Sequence, residues 1–174
     1  IAGLAKAAHT ALLARSDAPI GYSKVALNSY FALITDTPAL RLVARAQAEF
    51  VAKALKGRAE AALPLLSAAA PFKAGGRGGA ENYTAIPPGP LCSRHVSDLY
   101  IHPNSICALR LLGAELVNWM ERSVSVFCQI TPDAQDADLL DERFPSLNFD
   151  LIDGLSYQID LSQPARFDTL GNVV

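Results

Sequence analysis

Apolar residues recur at three- or four-residue spacing in three stretches of the chain, and each stretch predicts an amphipathic helix. The first covers residues 1–15. The second begins after Thr37, a favourable N-cap followed by Pro38, and ends at Gly57. The third follows Gly113. The stripes are formed by Leu4, Ala8, Ala11 and Leu12, by Leu40, Val43, Phe50, Val51, Ala54 and Leu55 with Gln47 as a polar interruption, and by Leu116, Trp119, Met120 and Phe127.

Three other stretches have the pattern of β-strands. Residues 63–70 ("LPLLSAAA") and 105–112 ("SICALRLL") are short apolar runs, which predict buried strands. Residues 155–161 ("LSYQIDL") alternate strictly and predict a half-buried strand. Residues 22–35 fit either a strand or a buried helix. Because helices and strands are interspersed along the chain, we expect an α+β, or mixed α/β, fold.

Glycine and proline concentrate in residues 71–90, which predicts a long loop, and long ordered loops are often functional. The segment "PFKAGGRGG" (71–79) places Lys73 and Arg77 among four glycines. Glycine allows a backbone to approach another group closely, and exposed N–H groups beside two cations can form an anion cradle. The alternative is a flexible surface loop with solvated charges.

Composition narrows the class of protein. A length of 174 residues suggests one domain, and a hydrophobic content of 51% is enough for a packed core. The net charge of −2 excludes the basic field typical of nucleic-acid binding. No apolar run reaches the roughly 18 residues of a membrane span. The three cysteines (Cys92, Cys107 and Cys128) form no CxxC pair, so we expect buried small hydrophobes rather than a zinc site or disulfides.

The sequence contains no complete catalytic motif. His9, His95 and His102 form no metal-binding motif, and neither a GxSxG elbow nor a phosphate-loop or dinucleotide-binding glycine pattern occurs. The acidic segment 131–146 predicts a solvated loop. Cation coordination is the alternative there, although the segment lacks the glycine turn and ordered spacing of calcium loops. The residues alone therefore indicate only a mixed α/β domain with a cationic glycine loop.

Four blocks occur in the order "LSAAAPFKAGGRGG", "YTAIPPGPL", "DLYIHPNSI" and "NFDLIDGLSYQIDLSQPARFD". Together they closely resemble the C-terminal domain of bacterial 2′,3′-cyclic-nucleotide 2′-phosphodiesterase/3′-nucleotidases, a branch of the 5′-nucleotidase family. The resemblance implies that residues 20–174 are a substrate-binding domain of layered helices and sheets. Residues 1–19 would be the linker helix that precedes it. The missing initiator Met suggests that the chain was cut from a longer protein. Because the chain stops before the family domain usually ends, we expect the domain to be incomplete.

The resemblance also implies how the activity is divided between two domains. In the family, an N-terminal metallophosphoesterase domain holds two divalent metal ions and hydrolyses the phosphoester, and its signature blocks are absent from this chain. This chain alone is therefore expected to be inactive, with no catalytic or metal-ligating residue. Its expected partners are that domain and a nucleotide substrate, 3′-AMP or a 2′,3′-cyclic nucleotide, in the periplasm. Two alternatives remain: a stand-alone nucleotide-binding module, and a fragment that folds without binding.

The family resemblance assigns candidate substrate-binding residues. Two aromatic rings sandwich the base in this family, and the first matches His102 in "YIHPNSI", with Tyr100 and Asn104 beside it. The phosphodiesterase branch is Tyr-like at this position. An imidazole stacks with less area, and Tyr100 is the alternative ring. The second aromatic position of the family lies beyond Val174, so half of the base clamp is missing.

The remaining candidates come from two glycine-containing blocks. Lys73, Gly75, Gly76 and Arg77 match a family loop that contacts the phosphate or ribose, which implies a substrate-binding role for this loop. Gly154 in "IDGLSY" matches a family glycine that lies against the base. Two structural roles remain open: Asn104 could cap a turn through its side chain, and Gly154 could serve only a tight turn.

Overall fold

The structure is a computed structural model that describes residues 2–174, except for the side chains of Ala2 and Arg77. Four α-helices and six short strands are interspersed along the described chain. In chain order they are α1 (Ala2–Ser16), β1 (Pro19–Ser23), β2 (Leu27–Asn28), α2 (Pro38–Leu55), β3 (Ser67–Ala69), β4 (Ala85–Ile86), β5 (Gly89–Cys92), α3 (Ser93–Leu99), α4 (Gly113–Ser123) and β6 (Leu151–Asp153). Single 3₁₀ turns cover Ala59–Ala62, Gly76–Gly78, Val124–Val126 and Ser146–Asn148.

The six strands form three separate antiparallel pairs: β1 with β5, β2 with β4, and β3 with β6. The β2–β4 pair sets Leu27 opposite Ile86, and the β3–β6 pair sets Ala68 opposite Ile152. Each pair joins distant parts of the chain, and the described strands do not form one continuous sheet. This combination of helices and small antiparallel pairs confirms the α+β class.

Helix α2 forms where its capping residues predict it. Thr37 has extended backbone angles, and its hydroxyl oxygen accepts a hydrogen bond from the Leu40 N–H at 3.4 Å, which satisfies one of the free donors of the first turn. The polar interruption of its stripe also has a partner, because the Ser67 hydroxyl donates to Gln47 Oε1 at 3.0 Å. One part of the stripe was predicted wrongly, because Phe50 and Ala54 are exposed.

Among the described residues, most buried apolar side chains fall into three small clusters. The first packs α2 against β3, the second gathers phenylalanines below α4, and the third packs β2 and β4 under the start of α2. The Phe127 and Phe149 rings in the second cluster meet edge-to-face, 5.4 Å apart. The buried members of the three clusters are Ala32, Leu40, Ala44 and Ala69, then Val126, Phe127, Phe144 and Phe149, then Leu27, Ala39 and Ile86.

Two predicted strands are absent from the described structure. Residues 105–112 are exposed and irregular, and in the part of the chain that the structure describes residues 105–111 make no backbone hydrogen bond. Residues 155–161 are also irregular, and the strand in this region is β6, just before them. A strand needs a neighbour to satisfy its N–H and C=O groups, and only β6 meets one, in β3.

Three smaller predictions also need correction. The buried strand expected over residues 63–70 is limited to Ser67–Ala69, and the expected loop 71–90 contains β4 and the start of β5. Cys107 is exposed rather than buried, whereas Cys92 is buried and Cys128 is intermediate; all three are free thiols.

None of the described helices is both long and apolar enough to cross a bilayer.

Candidate functional site

The cationic glycine loop is a closed hairpin. Ala74 forms an antiparallel bridge with Tyr83, and the Gly75 N–H donates to the Asn82 carbonyl oxygen at 2.9 Å. The Gly78 N–H donates to the Gly75 carbonyl at 3.2 Å, which tightens the turn. Several N–H groups that could form an anion cradle are therefore used within the hairpin itself.

The glycines of this hairpin have different structural roles. Gly75 has φ +72°, and a Cβ atom there would lie 2.4 Å from the Tyr83 hydroxyl oxygen. Gly75 is therefore needed to make room for a side chain of the protein itself. Gly76 has φ +59°, is exposed, and would have no atom within 4 Å of an added Cβ. Gly75 and Gly76 were both predicted to contact the substrate. Of the two, only Gly76 has a backbone that is open to solvent.

Lys73 is held by Asp98 on α3 and by Ser29, which directly follows β2. Its ammonium forms a salt bridge with the Asp98 carboxylate on α3, and both side chains are mostly buried, 22% and 33% exposed. The Ser29 hydroxyl donates to the Lys73 carbonyl oxygen, and the Thr84 hydroxyl donates to the Asp98 carbonyl oxygen at 2.8 Å. The cation therefore has a fixed position and a nearby counter-charge.

An aromatic cluster lies next to this lysine. The Phe72 ring centroid is 5.1 Å from that of Tyr100 and 5.2 Å from that of His102, with interplanar angles of 90° and 84°. These are edge-to-face contacts, an arrangement that aromatic pairs favour. Phe72 and Tyr100 are half-buried, whereas His102 is exposed. We call Phe72, Lys73, Asp98, Tyr100 and His102 the ring–lysine cluster.

Asn104 supports the segment that carries these rings. Its side-chain Nδ2 donates to the Tyr100 hydroxyl oxygen at 3.2 Å, and its backbone N–H donates to the His102 carbonyl oxygen at 2.9 Å. These bonds give Asn104 a structural role, although its side chain donates to the Tyr100 hydroxyl rather than capping a turn. A substrate-binding role remains a prediction.

Gly154 is not joined to the ring–lysine cluster by any hydrogen bond or ring contact of the described residues. It has φ +95°, and a Cβ atom there would lie 2.9 Å from Leu66 Cδ2 and 3.4 Å from the Leu65 carbonyl oxygen. These contacts explain why a glycine is present here, because the chain packs closely against itself at this position. Its neighbours Asp153 and Leu155 line a separate cavity of about 350 Å³ between α2 and β6.

The sequence found two of the residues that the structure brings together at the rings, Tyr100 and His102, and one cation, Lys73. It missed Phe72 and Asp98. The available signal for Phe72 was its position directly before Lys73 in "PFK". The Arg77 side chain lies outside the described residues, so its role stays a prediction.

The described residues do not provide a metal site. No group of three or more His, Cys, Asp or Glu side chains in this part of the chain lies close enough together to hold a metal ion. The two divalent ions expected from the family resemblance therefore do not fit the residues described here. They remain a prediction about a separate domain.

With this geometry in view, the comparisons with known proteins identify the family. The sequence profile of the 5′-nucleotidase, C-terminal domain family matches residues 19–173, nearly the whole chain. The chain therefore belongs to this family, and the predicted resemblance is confirmed. No solved structure gives a significant match to the chain.

The curated relatives are longer bacterial proteins. The chain is 41% identical over 172 residues to a 2′,3′-cyclic-nucleotide 2′-phosphodiesterase/3′-nucleotidase of Haemophilus influenzae, and 40% identical over 172 residues to one of Salmonella typhimurium. Each alignment covers 97% of this chain but only 26% and 27% of the two relatives. A trifunctional nucleotide phosphoesterase of Bacillus subtilis is 43% identical over 157 residues, which are 90% of this chain and 11% of that protein.

Proposed function

We propose that this chain is the nucleotide-recognition domain of a secreted, metal-dependent 2′,3′-cyclic-nucleotide 2′-phosphodiesterase and 3′-nucleotidase. Hydrolysis and its divalent metal ions would belong to a separate metallophosphoesterase domain, in the periplasm. The names of the relatives and their greater length support this division. On its own, the chain is expected to bind substrate without releasing phosphate.

The observation that carries the proposal is the ring–lysine cluster. Lys73 directly follows Phe72, and the Phe72 ring contacts the exposed His102, so a two-residue segment connects the salt-bridged cation with the imidazole. Stacking on an aromatic side chain tolerates any base because every base has a π-face. A lysine ammonium can hold a phosphate through charge-assisted hydrogen bonds. The pair therefore suits a mononucleotide, with the base on the ring and the phosphate at the cation.

The test is a calorimetric titration of the chain with 3′-AMP, with ribose phosphate as the control ligand. We expect 3′-AMP to bind more tightly, because only this ligand carries a base that can stack. His102→Ala should weaken 3′-AMP binding by about 1 kcal/mol, roughly fivefold, the lower end for a stacked base. His9→Ala, on the exposed face of α1, is the matched histidine control and should change nothing.

Equal affinities for 3′-AMP and ribose phosphate would contradict the proposed base recognition. Phosphate release from 3′-AMP by the purified chain, at the rate of a full-length enzyme, would contradict the proposed division between two domains.

A further inference from the structure

We propose that Phe72 is a positioning residue of the nucleotide site, because its ring sets the orientation of Tyr100 and His102. The inference rests on the proposed function, in which a base stacks on one of these two rings. It concerns a residue that is not expected to touch the base itself and acts through its neighbours.

The contacts of Phe72 support this role. In the part of the chain that the structure describes, the Tyr100 and His102 rings do not contact each other, and the ring contact that each makes is with Phe72. The Tyr100 hydroxyl also accepts a hydrogen bond from Asn104 Nδ2. Both centroid separations, 5.1 and 5.2 Å, fall within the range at which edge-to-face aromatic pairs attract each other. Phe72 therefore links two side chains that otherwise share only a short irregular segment.

The backbone of Phe72 is fixed on both sides. Pro71, directly before it, has one of the most buried side chains of the described chain. Lys73, directly after it, accepts a hydrogen bond from Ser29 at its carbonyl oxygen and pairs with Asp98 through its ammonium. Because both neighbours of Phe72 are anchored, its ring is well placed to orient the rings of Tyr100 and His102.

The segment that carries His102 is less constrained. Residues 101–106 are exposed and have no regular secondary structure. His102 has support at its carbonyl oxygen from the Asn104 N–H, but the imidazole ring has Phe72 as its described ring contact. Without Phe72, the exposed imidazole would be free to change rotamer. A base would then have to order the ring when it binds, which costs affinity.

The experiment compares Phe72→Leu with a matched control, Phe50→Leu, in which an exposed phenylalanine of α2 is changed in the same way. Titration with 3′-AMP and with ribose phosphate gives the affinities. Three-bond NMR coupling constants at χ1 of Tyr100 and His102 show whether each side chain keeps one rotamer. Phe72→Met is a second variant of similar volume without a ring, and Phe72→Tyr keeps the ring.

We expect Phe72→Leu to weaken 3′-AMP binding about three- to tenfold, the range for the loss of an aromatic pair. Ribose phosphate binding should stay within about twofold, and the couplings at Tyr100 and His102 should become rotamer-averaged. Phe72→Tyr should restore both the affinity and the couplings. Phe50→Leu should change neither.

Three outcomes would overturn the proposal. An equal loss of affinity for both ligands would show a general structural defect, as would loss of the fold in both Phe72→Leu and Phe72→Met. Unchanged couplings in Phe72→Leu would show that the rings are oriented without Phe72. If the unmodified chain binds 3′-AMP no better than ribose phosphate, the proposed function fails, and the couplings still decide the role of Phe72.

Discussion

The Lys73 ammonium pairs with the Asp98 carboxylate, so the first cation of the glycine hairpin contacts α3 rather than solvent alone. This pairing means that an anionic ligand at Lys73 has to compete with a carboxylate of the protein. Asp98 therefore holds the lysine in place and also opposes the binding of negative charge. Both effects can be measured on the same variant.

We expect Asp98→Asn to tighten the binding of ribose phosphate and 3′-AMP by about two- to fivefold, the range of partly exposed ion pairs. The substitution removes the competing charge and keeps the size of the side chain. Calorimetric titration gives the affinities. Asp17→Asn, which breaks the exposed ion pair with Arg94, is the matched control and should have no effect. Weaker binding in Asp98→Asn would mean that Asp98 serves mainly to place the lysine.

The burial of the Asp150 carboxyl leads us to predict that the stability of the protein depends on pH. Burial raises the pKa of its carboxyl above the usual value, and the hydrogen bond from Trp119 Nε1, at 2.9 Å, opposes this only in part. Because the folded pKa lies above the unfolded one, the folded state binds the proton more tightly. The stabilising contribution is therefore full below the unfolded pKa, about 3.9, and is lost as pH rises through the folded pKa.

Asp150→Asn should remove this dependence, because an amide does not ionise and its oxygen can still accept from Trp119. Chemical unfolding at several pH values from 4 upward tests the expectation. The free energy of unfolding of Asp150→Asn, relative to the unmodified chain, should rise with pH. Asp133→Asn, in the exposed acidic loop, should show no such trend. A flat difference for Asp150→Asn would show that the carboxylate is not penalised by burial.

Gly75→Ala should destabilise the hairpin by about 2–3 kcal/mol, since an alanine at φ +72° is strained and its Cβ would meet the Tyr83 hydroxyl. Gly76→Ala should cost about 1 kcal/mol, because the space around it is open and only the backbone strain remains. Equilibrium unfolding gives both values. Adding Tyr83→Phe should recover part of the Gly75→Ala loss, and equal costs at both glycines would contradict the packing explanation.

The Gln47–Ser67 hydrogen bond leads to a separate prediction about stability. Ser67 is buried, so Gln47→Leu would leave its hydroxyl without this acceptor, and we expect a cost of about 1–3 kcal/mol. Ser67→Ala added to Gln47→Leu should recover most of that loss, because no buried polar group then remains unpaired. A double-mutant cycle of unfolding free energies checks the coupling. Additive losses would contradict it.

The sequence predicted the helices better than the strands, and the reason is physical. The signals that start and end α2 lie within a few residues of its ends, at Thr37, Pro38 and Gly57. A strand depends on a partner that is distant along the chain. The alternating residues 155–161 were a good strand candidate, yet β3 pairs with Leu151–Asp153 instead. Alternation shows which residues suit a strand and not which will be paired.

The candidate site was predictable to the extent that its residues lie in recognisable blocks. Tyr100 and His102 were found through the family resemblance, but their contact with Phe72 joins positions about thirty apart in sequence. Gly154 was predicted with the same site, and in the described structure a Cβ atom there would meet Leu66; its contact with substrate stays a prediction. A matched motif identifies a residue type, whereas packing decides what that residue contacts.

The exposure of helix α1 affects how firmly this helix is attached to the rest of the domain. Its side chains are exposed along almost the whole described helix, so no apolar face holds it against the rest of the protein. Asp17, just after its end, pairs with Arg94 at 2.7 Å through two exposed side chains, and β1 begins at Pro19. The exposed Asp17–Arg94 ion pair therefore anchors the chain directly after the helix. Because salt screens exposed charges, this anchor should weaken as ionic strength rises.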